Sequence, residues 1–140
     1  MSKNILKFIL FLFLFSYDFP IKLYATLNKN IHHVTIYGTL EQLKNIINAV
    51  NLNSKDSNGN TALHLATKNG FKKKVKFLLS YEINKELKNN QGKTALSIAI
   101  NNLHEIKKEI SKYQYANNEE SYDLFIEKYL YQKIIDLLSP

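Results

Sequence analysis

Asn58-Gly59-Asn60-Thr61-Ala62-Leu63 returns as Gln91-Gly92-Lys93-Thr94-Ala95-Leu96, each residue displaced by 33 positions. A fixed period of this length means stacked copies of one small unit, because a lone copy cannot bury its own apolar face. Gly59 and Gly92 stand at the tips of polar turns, where a positive φ favours glycine. Thr61 and Thr94 each precede a small apolar run and are suited to cap a helix N-terminus.

Working outward, the spacing predicts a short helix from about Ala62 to Asn69, with small Ala66 facing a neighbouring unit. Gly70 ends it and lets the chain reverse. A second helix is expected from about Lys72 to Tyr81, with Val75, Leu78 and Leu79 as its buried stripe at i, i+3, i+4. Leu43, Ile46 and Ile47 repeat that spacing behind Gly38. The four glycines of the chain therefore all fall at repeat boundaries: Gly38 and Gly70 between helices, Gly59 and Gly92 in turns.

Asp56-Ser57-Asn58-Gly59-Asn60-Thr61-Ala62-Leu63-His64-Leu65-Ala66 resembles the opening of the ankyrin repeat, written D-x-x-G-x-T-P-L-H-x-A, with Ala62 in place of the proline. Lys68-Asn69-Gly70-Phe71, followed by Val75, Phe77, Leu78 and Leu79, resembles the rest of that repeat. The resemblance implies an all-α fold: a short ankyrin-type helix-turn-helix solenoid. It also implies that His64 bonds the turn and Thr61, with His32 as its counterpart in the first unit.

Residues 58–90 form the clearest unit. Residues 91–113 begin as a repeat and then drift: Ser97 replaces the histidine and no glycine follows Ala99. Asn101-Asn102 is expected to take over the hinge, since asparagine tolerates the left-handed conformation. Ile106 and Ile110 then give an i, i+4 pair. Residues 26–57 form a degenerate first unit, in which Ile31-His32-His33-Val34 sits seven residues before Gly38 as Leu63-His64-Leu65-Ala66 does before Gly70. Its opening turn falls near Leu27 to Asn30. Terminal repeats are commonly atypical because one face meets water.

Residues 114–140 hold one long helix, Glu119 to Leu138, expected to cap the stack. Leu124, Phe125, Tyr129, Leu130, Ile134, Leu137 and Leu138 are its predicted buried face, and Tyr122 is expected to be covered with them. Glu119 and Glu120 at its start suit the helix dipole. The alternative is an exposed helix that docks a partner. At the other end, Lys3 and Lys7 precede an apolar run from Phe8 to Phe15, closed by Asp18 and Pro20. A bilayer-spanning helix needs roughly 20 apolar residues. The run is far shorter and matches a signal-peptide core, so residues 1–25 are expected to be removed after Ala25. Left uncleaved, the segment would tether the stack to a membrane.

The whole-chain charge is +7, and all 19 basic residues are lysine. Lys3, Lys7 and Lys22 against Asp18 account for +2 of it, so the remainder keeps +5. Without arginine the bidentate reading of phosphate or guanine is missing, which argues against nucleic acid. Lys72-Lys73-Lys74 and Lys76 read as the solvated face of an amphipathic helix. Lysine, asparagine, isoleucine, tyrosine and phenylalanine together fit an AT-rich bacterial coding bias. With no cysteine, disulfide and thiolate chemistry are excluded. Adjacent His32 and His33 point about 100° apart along a helix and suit no shared metal ion. His104 with Glu105 is an isolated pair on a helix. No set of residues with catalytic roles can be assembled, and no cofactor or metal is expected.

Taken together, the repeat, the absence of a catalytic set and the N-terminal segment give the expectation of a non-catalytic, monomeric, exported module that binds another protein, directed at a host or at an envelope. The binding surface the resemblance implies is made of turn tips and inner helices: Ser57, Asn58, Asn60, Thr67, Lys68, Asn90, Gln91, Lys93, Ser97 and Asn101. Gly59, Thr61, His64, Gly70, Gly92 and Thr94 are its structural residues. Two other classes stay open, a membrane-tethered regulator of an envelope protein and a lysine-based binder of anionic surfaces.

Overall fold

A computed structural model describes residues 30–112 and 119–139. The expected signal segment and most of the first opening turn lie outside them. Six α-helices are present among the described residues: α1 (Ile31–Tyr37), α2 (Leu40–Ile46), α3 (Ala62–Lys68), α4 (Lys72–Leu78), α5 (Ala95–Lys112) and α6 (Glu119–Leu138). No helix in this set is long and apolar enough to cross a membrane.

Side-chain caps open four of these helices. The Asn30 side chain accepts from the His32 and His33 amides at 3.0 and 3.2 Å, opening α1. Thr39 and Gln42 form a reciprocal capping box at α2, with bonds of 2.8 and 3.1 Å. Thr61 and His64 pair in the same way at α3, and Thr94 Oγ1 accepts from the Ser97 amide at 3.2 Å at α5. Such caps satisfy helix N–H groups that have no partner within the helix. They are worth about 1 kcal/mol each.

The inner row is α1, α3 and α5, each packed on the next, and α2 and α4 pack outside α1 and α3. Ala62, Ala66, Ala95 and Ala99 are wholly buried, so the inner helices approach closely through small side chains spaced 33 apart. The α6 helix packs on both α5 and α4. It therefore takes the place that the outer helix fills in the two earlier units. The expected hinge at Asn101-Asn102 is absent: α5 runs unbroken to Lys112. Without glycine nothing there favours leaving the helix, and Leu103 and Ile106 continue its buried stripe.

The α4 helix ends at Leu78, three residues earlier than expected. Val75 and Leu78 are fully buried, but Leu79 is only partly so. The α4 residue buried beyond the expected stripe is Lys74, at 8% exposure. Its ammonium donates to the Thr35 and Gly38 carbonyls at 2.6 and 2.7 Å, across the repeat boundary. Those carbonyls belong to the unsatisfied end of α1. Burial lowers the Lys74 pKa. Leu78→Ala should cost about 2–5 kcal/mol. Leu79→Ala should cost less than half as much, and urea melts of the two variants check the order.

The expected buried face of α6 is corrected in part. Ile134 and Leu138 are buried, and Leu124 and Leu137 are partly so. Tyr122, Phe125 and Tyr129 are instead 69%, 53% and 57% exposed. The anchor is Tyr131. Its ring lies 3.7 Å from where a Cβ on Gly70 would sit, and its hydroxyl donates to the Lys68 carbonyl at 2.7 Å. The α6 helix thus seats on the hinge of the second unit, with the ring beside Gly70 and the hydroxyl on the Lys68 carbonyl.

A polar groove on stacked turns

Asp56 organises the first turn. Its backbone pairs with Asn60 and Gly59 at 2.9 Å, and its carboxylate accepts from the Asn58 and Asn60 amides at 2.9 and 2.8 Å. Asn89 does the same 33 residues on. Its N–H donates to the Lys93 carbonyl at 3.0 Å, and its side-chain oxygen accepts from the Gln91 and Lys93 amides at 3.0 Å each. A short Asx side chain bonding its own backbone two residues on mimics a turn and fixes it. Neither residue was among the candidate site positions, although Asx three places before each turn glycine is a visible signal.

The turns then stack. The Asn90 amide donates to the Asn58 carbonyl at 3.0 Å, and its side chain donates to the Ser57 carbonyl at 3.1 Å. Asn89 Nδ2 donates to Asn60 Oδ1 at 2.9 Å, and Lys55 Nζ to the Lys88 carbonyl at 2.8 Å. Gly59 and Gly92 both have positive φ, 75° and 72°. Only Gly59 is also crowded, because the next turn lies against it.

His64 ties the turns to the helices. Nδ1 meets Thr61 Oγ1 at 2.8 Å and Nε2 meets the Lys93 carbonyl at 3.0 Å. His32 Nε2 also meets a carbonyl of the loop that follows its unit, that of Ser54 at 3.0 Å, while the His33 ring packs on Tyr37. Burial lowers the His64 pKa below its usual 6.5, and the Lys93 carbonyl opposes this. A lowered native pKa means that the unfolded chain takes the proton first. The contribution of His64 is therefore complete above pH 6.5 and is lost as pH falls from there through the native value. Thermal melts on either side of that window should show this fall, and His64→Gln should flatten it.

Between the turn tips and the inner helices lies a groove of about 340 Å³. Asn58, Asn60, Asn89, Asn90, Gln91 and Lys93 form one wall; Lys68, Ile98, Asn101 and Asn102 form the other. Seven of the ten candidate surface residues meet here: Asn58, Asn60, Lys68, Asn90, Gln91, Lys93 and Asn101. Ser57 is exposed beside it. Ser97 does not line it; its hydroxyl donates to the Thr94 carbonyl at 2.9 Å. Thr67 is corrected outright. It is fully buried, on the packed side of α3.

Thr35 occupies the equivalent place in the first unit, three residues before its glycine, and neither buried hydroxyl has a partner among the described residues. A buried hydroxyl without a bond costs about 1–3 kcal/mol. Thr67→Val should therefore raise the melting temperature and leave the groove intact, which differential scanning calorimetry checks.

The groove can offer amide donors and acceptors together with two ammonium groups, all held on rigid turns. Inner helices, outer helices and bonded turns repeating along one axis define a helical solenoid of the turn-helix-helix kind. The model of the family of ankyrin repeats, three copies, matches residues 31–121, and the chain belongs to that family. It is 37% identical over 70 residues to ankyrin repeat domain-containing protein 13C-B of Xenopus laevis, covering 50% of this chain and 14% of that protein. Against the human ankyrin repeat domain-containing protein 13C the identity is 36% over 70 residues, 50% of this chain and 13% of that one. Alpha-latroinsectotoxin-Lt1a of Latrodectus tredecimguttatus is 46% identical over 52 residues, 37% of this chain and 4% of the toxin. The chain thus matches about a seventh or less of the length of each of these relatives.

Proposed function

We propose that the chain is a non-catalytic protein-binding module whose partner docks in the turn groove. Ankyrin repeats are typically non-catalytic interaction modules, which supports the class. The observation that carries the reading is the groove itself: seven polar candidates brought into one concavity by two hydrogen-bonded turns. Each amide contact is modest, so affinity would come from several contacts on a preorganised surface. A photo-crosslinking side chain placed at Gln91 or Asn101, in the cells that make the protein, should give one discrete adduct. The same group at exposed Glu105 should not. No adduct from either groove position, or equal adducts from Glu105, would remove the reading.

We propose further that the module is exported. The support is the lysine-flanked apolar run of residues 8–15 and Ala25 as a cleavage point. N-terminal sequencing of the protein from its own cells should return a chain beginning near Thr26. An intact terminus in the membrane fraction would favour the tethered alternative, and an intact soluble chain would remove both.

A further inference from the structure

A second concavity, independent of the turn groove, opens at the hinge end of the inner helices. Its volume is about 600 Å³. Ile36, Leu40, Phe71 and Leu130 supply its apolar surface, with Lys72 and Lys73 among the residues around it. Lys74 also lines it, but its ammonium is committed to the Thr35 and Gly38 carbonyls. Lys72 and Lys73 make no ion pair among the described residues. The Lys72 ammonium instead stands 5.6 Å from the centre of the Tyr129 ring.

The apolar surface does not stop at the hollow. Ile126, Tyr129 and Leu130 are spaced i, i+3, i+4 along α6, and Ile126 and Tyr129 are 58% and 57% exposed. Three residues at that spacing share one side of a helix. The hollow is therefore one end of an elongated strip rather than a closed pocket for a small molecule.

We propose that this strip is a docking site for an acidic peptide segment of another protein. Its apolar side chains would sit on Ile36, Leu40, Phe71 and Leu130, and its carboxylates beside Lys72 and Lys73. Charge selects this occupant. A second copy of the chain carries +7 overall, and its densest acidic stretch, residues 119–127, lies on a helix already packed on α4 and α5 of that copy. The chain's own residues 1–29 hold Lys3, Lys7, Lys22 and Lys29 against Asp18 alone, so they supply no complement. An acidic segment satisfies both surfaces at once: apolar area drives binding, and the lysines steer the approach and set register.

The test is selection of a random phage-displayed peptide library on the full chain, followed by binding of the enriched peptides in fluorescein-labelled form. Enriched sequences should combine acidic and large apolar residues. Their amide shift changes in the protein should centre on Ile36, Leu40, Phe71 and Leu130. The double variant Lys72→Glu, Lys73→Glu should weaken binding by about tenfold or more. Lys73 is exposed and Lys72 half-buried, so the variant should keep the parent's circular dichroism. Should it not, Lys73→Glu alone should still weaken binding, while Gln91→Ala should leave it unchanged. The proposal is overturned by a failure to enrich peptides, by enriched peptides without acidic residues, or by affinity indifferent to the lysines. Shift changes confined to Gln91 and Asn101 would return the peptides to the turn groove and also overturn it. Sedimentation showing a dimer that Lys73→Glu abolishes would assign the strip to a second copy instead.

Discussion

Valine at position 59 is expected to cost about 3–5 kcal/mol, combining backbone strain with lost turn contacts. Gly59 has φ +75°, where a β-branched residue is strained by about 1–3 kcal/mol. Its Cβ would also strike the Asn90 side-chain oxygen and come within 2.7 Å of the Asn90 amide nitrogen. Those atoms cannot retreat freely, because Asn90 holds the two turns together through the Asn58 and Ser57 carbonyls. At Gly92 the backbone is the same, with φ +72°, but nothing lies within 4 Å of the added carbon. Gly92→Val should therefore show strain alone, and Gly92→Asn should be milder still. Urea midpoints measured for the set should rank Gly59→Val far below Gly92→Val. Equal midpoints would mean that the turns do not stack.

Deleting residues 119–140 should be the most damaging change of all. It removes Tyr131, Ile134 and Leu138, each at least nine-tenths buried, and uncovers Leu103 and Ile106. Each fully buried side chain of this kind contributes about 1.5–3 kcal/mol. Three together approach the 5–15 kcal/mol that a whole small domain has in hand. The truncated chain should lose its cooperative melt or aggregate, as circular dichroism and light scattering would show. A soluble, monomeric truncation with an unchanged melt would mean that α6 is an appendage and not the outer helix of the third unit.

The parts of this fold that were legible in the sequence are those decided within a few residues. Gly59 and Gly92 mark positive φ, Thr61 and Thr94 mark helix starts, and His64 beside Thr61 marks a bonded turn. Each of these depends on the chain's immediate neighbourhood. What was not legible depends on which face meets which neighbour. Periodicity placed a helix at Glu119–Leu138 but could not choose Tyr131 over Phe125 or Tyr129, because apolar residues surround that helix. The Lys68 carbonyl beside the Gly70 hinge decides it, and that acceptor is in place only once the second unit has folded. Thr67 was placed on the binding surface by position along its helix, yet its side chain turns into the packed face. Lys74 read as one more solvated lysine in a basic run; the ends of α1 that it bonds are about forty residues away. In the groove, seven of ten surface residues were legible because turn tips are exposed by construction. Asp56 and Asn89 shape those tips through side-chain oxygens that accept from the turn amides, a role that exposure at a turn tip does not mark.

Lys74 has a further consequence for how opening of this stack can be observed. It is the one lysine buried among the described residues, and its ammonium is held by carbonyls of the preceding unit. An amine is acylated only when it is uncharged and reachable. Exposed lysines should react with an acylating reagent at ordinary rates, whereas Lys74 must wait for α1 to part from α4. Its labelling rate, followed by peptide mass spectrometry, is thus a clock on the separation of the first unit from the second. It needs no introduced probe, and it reports on one boundary of the solenoid while the others stay closed.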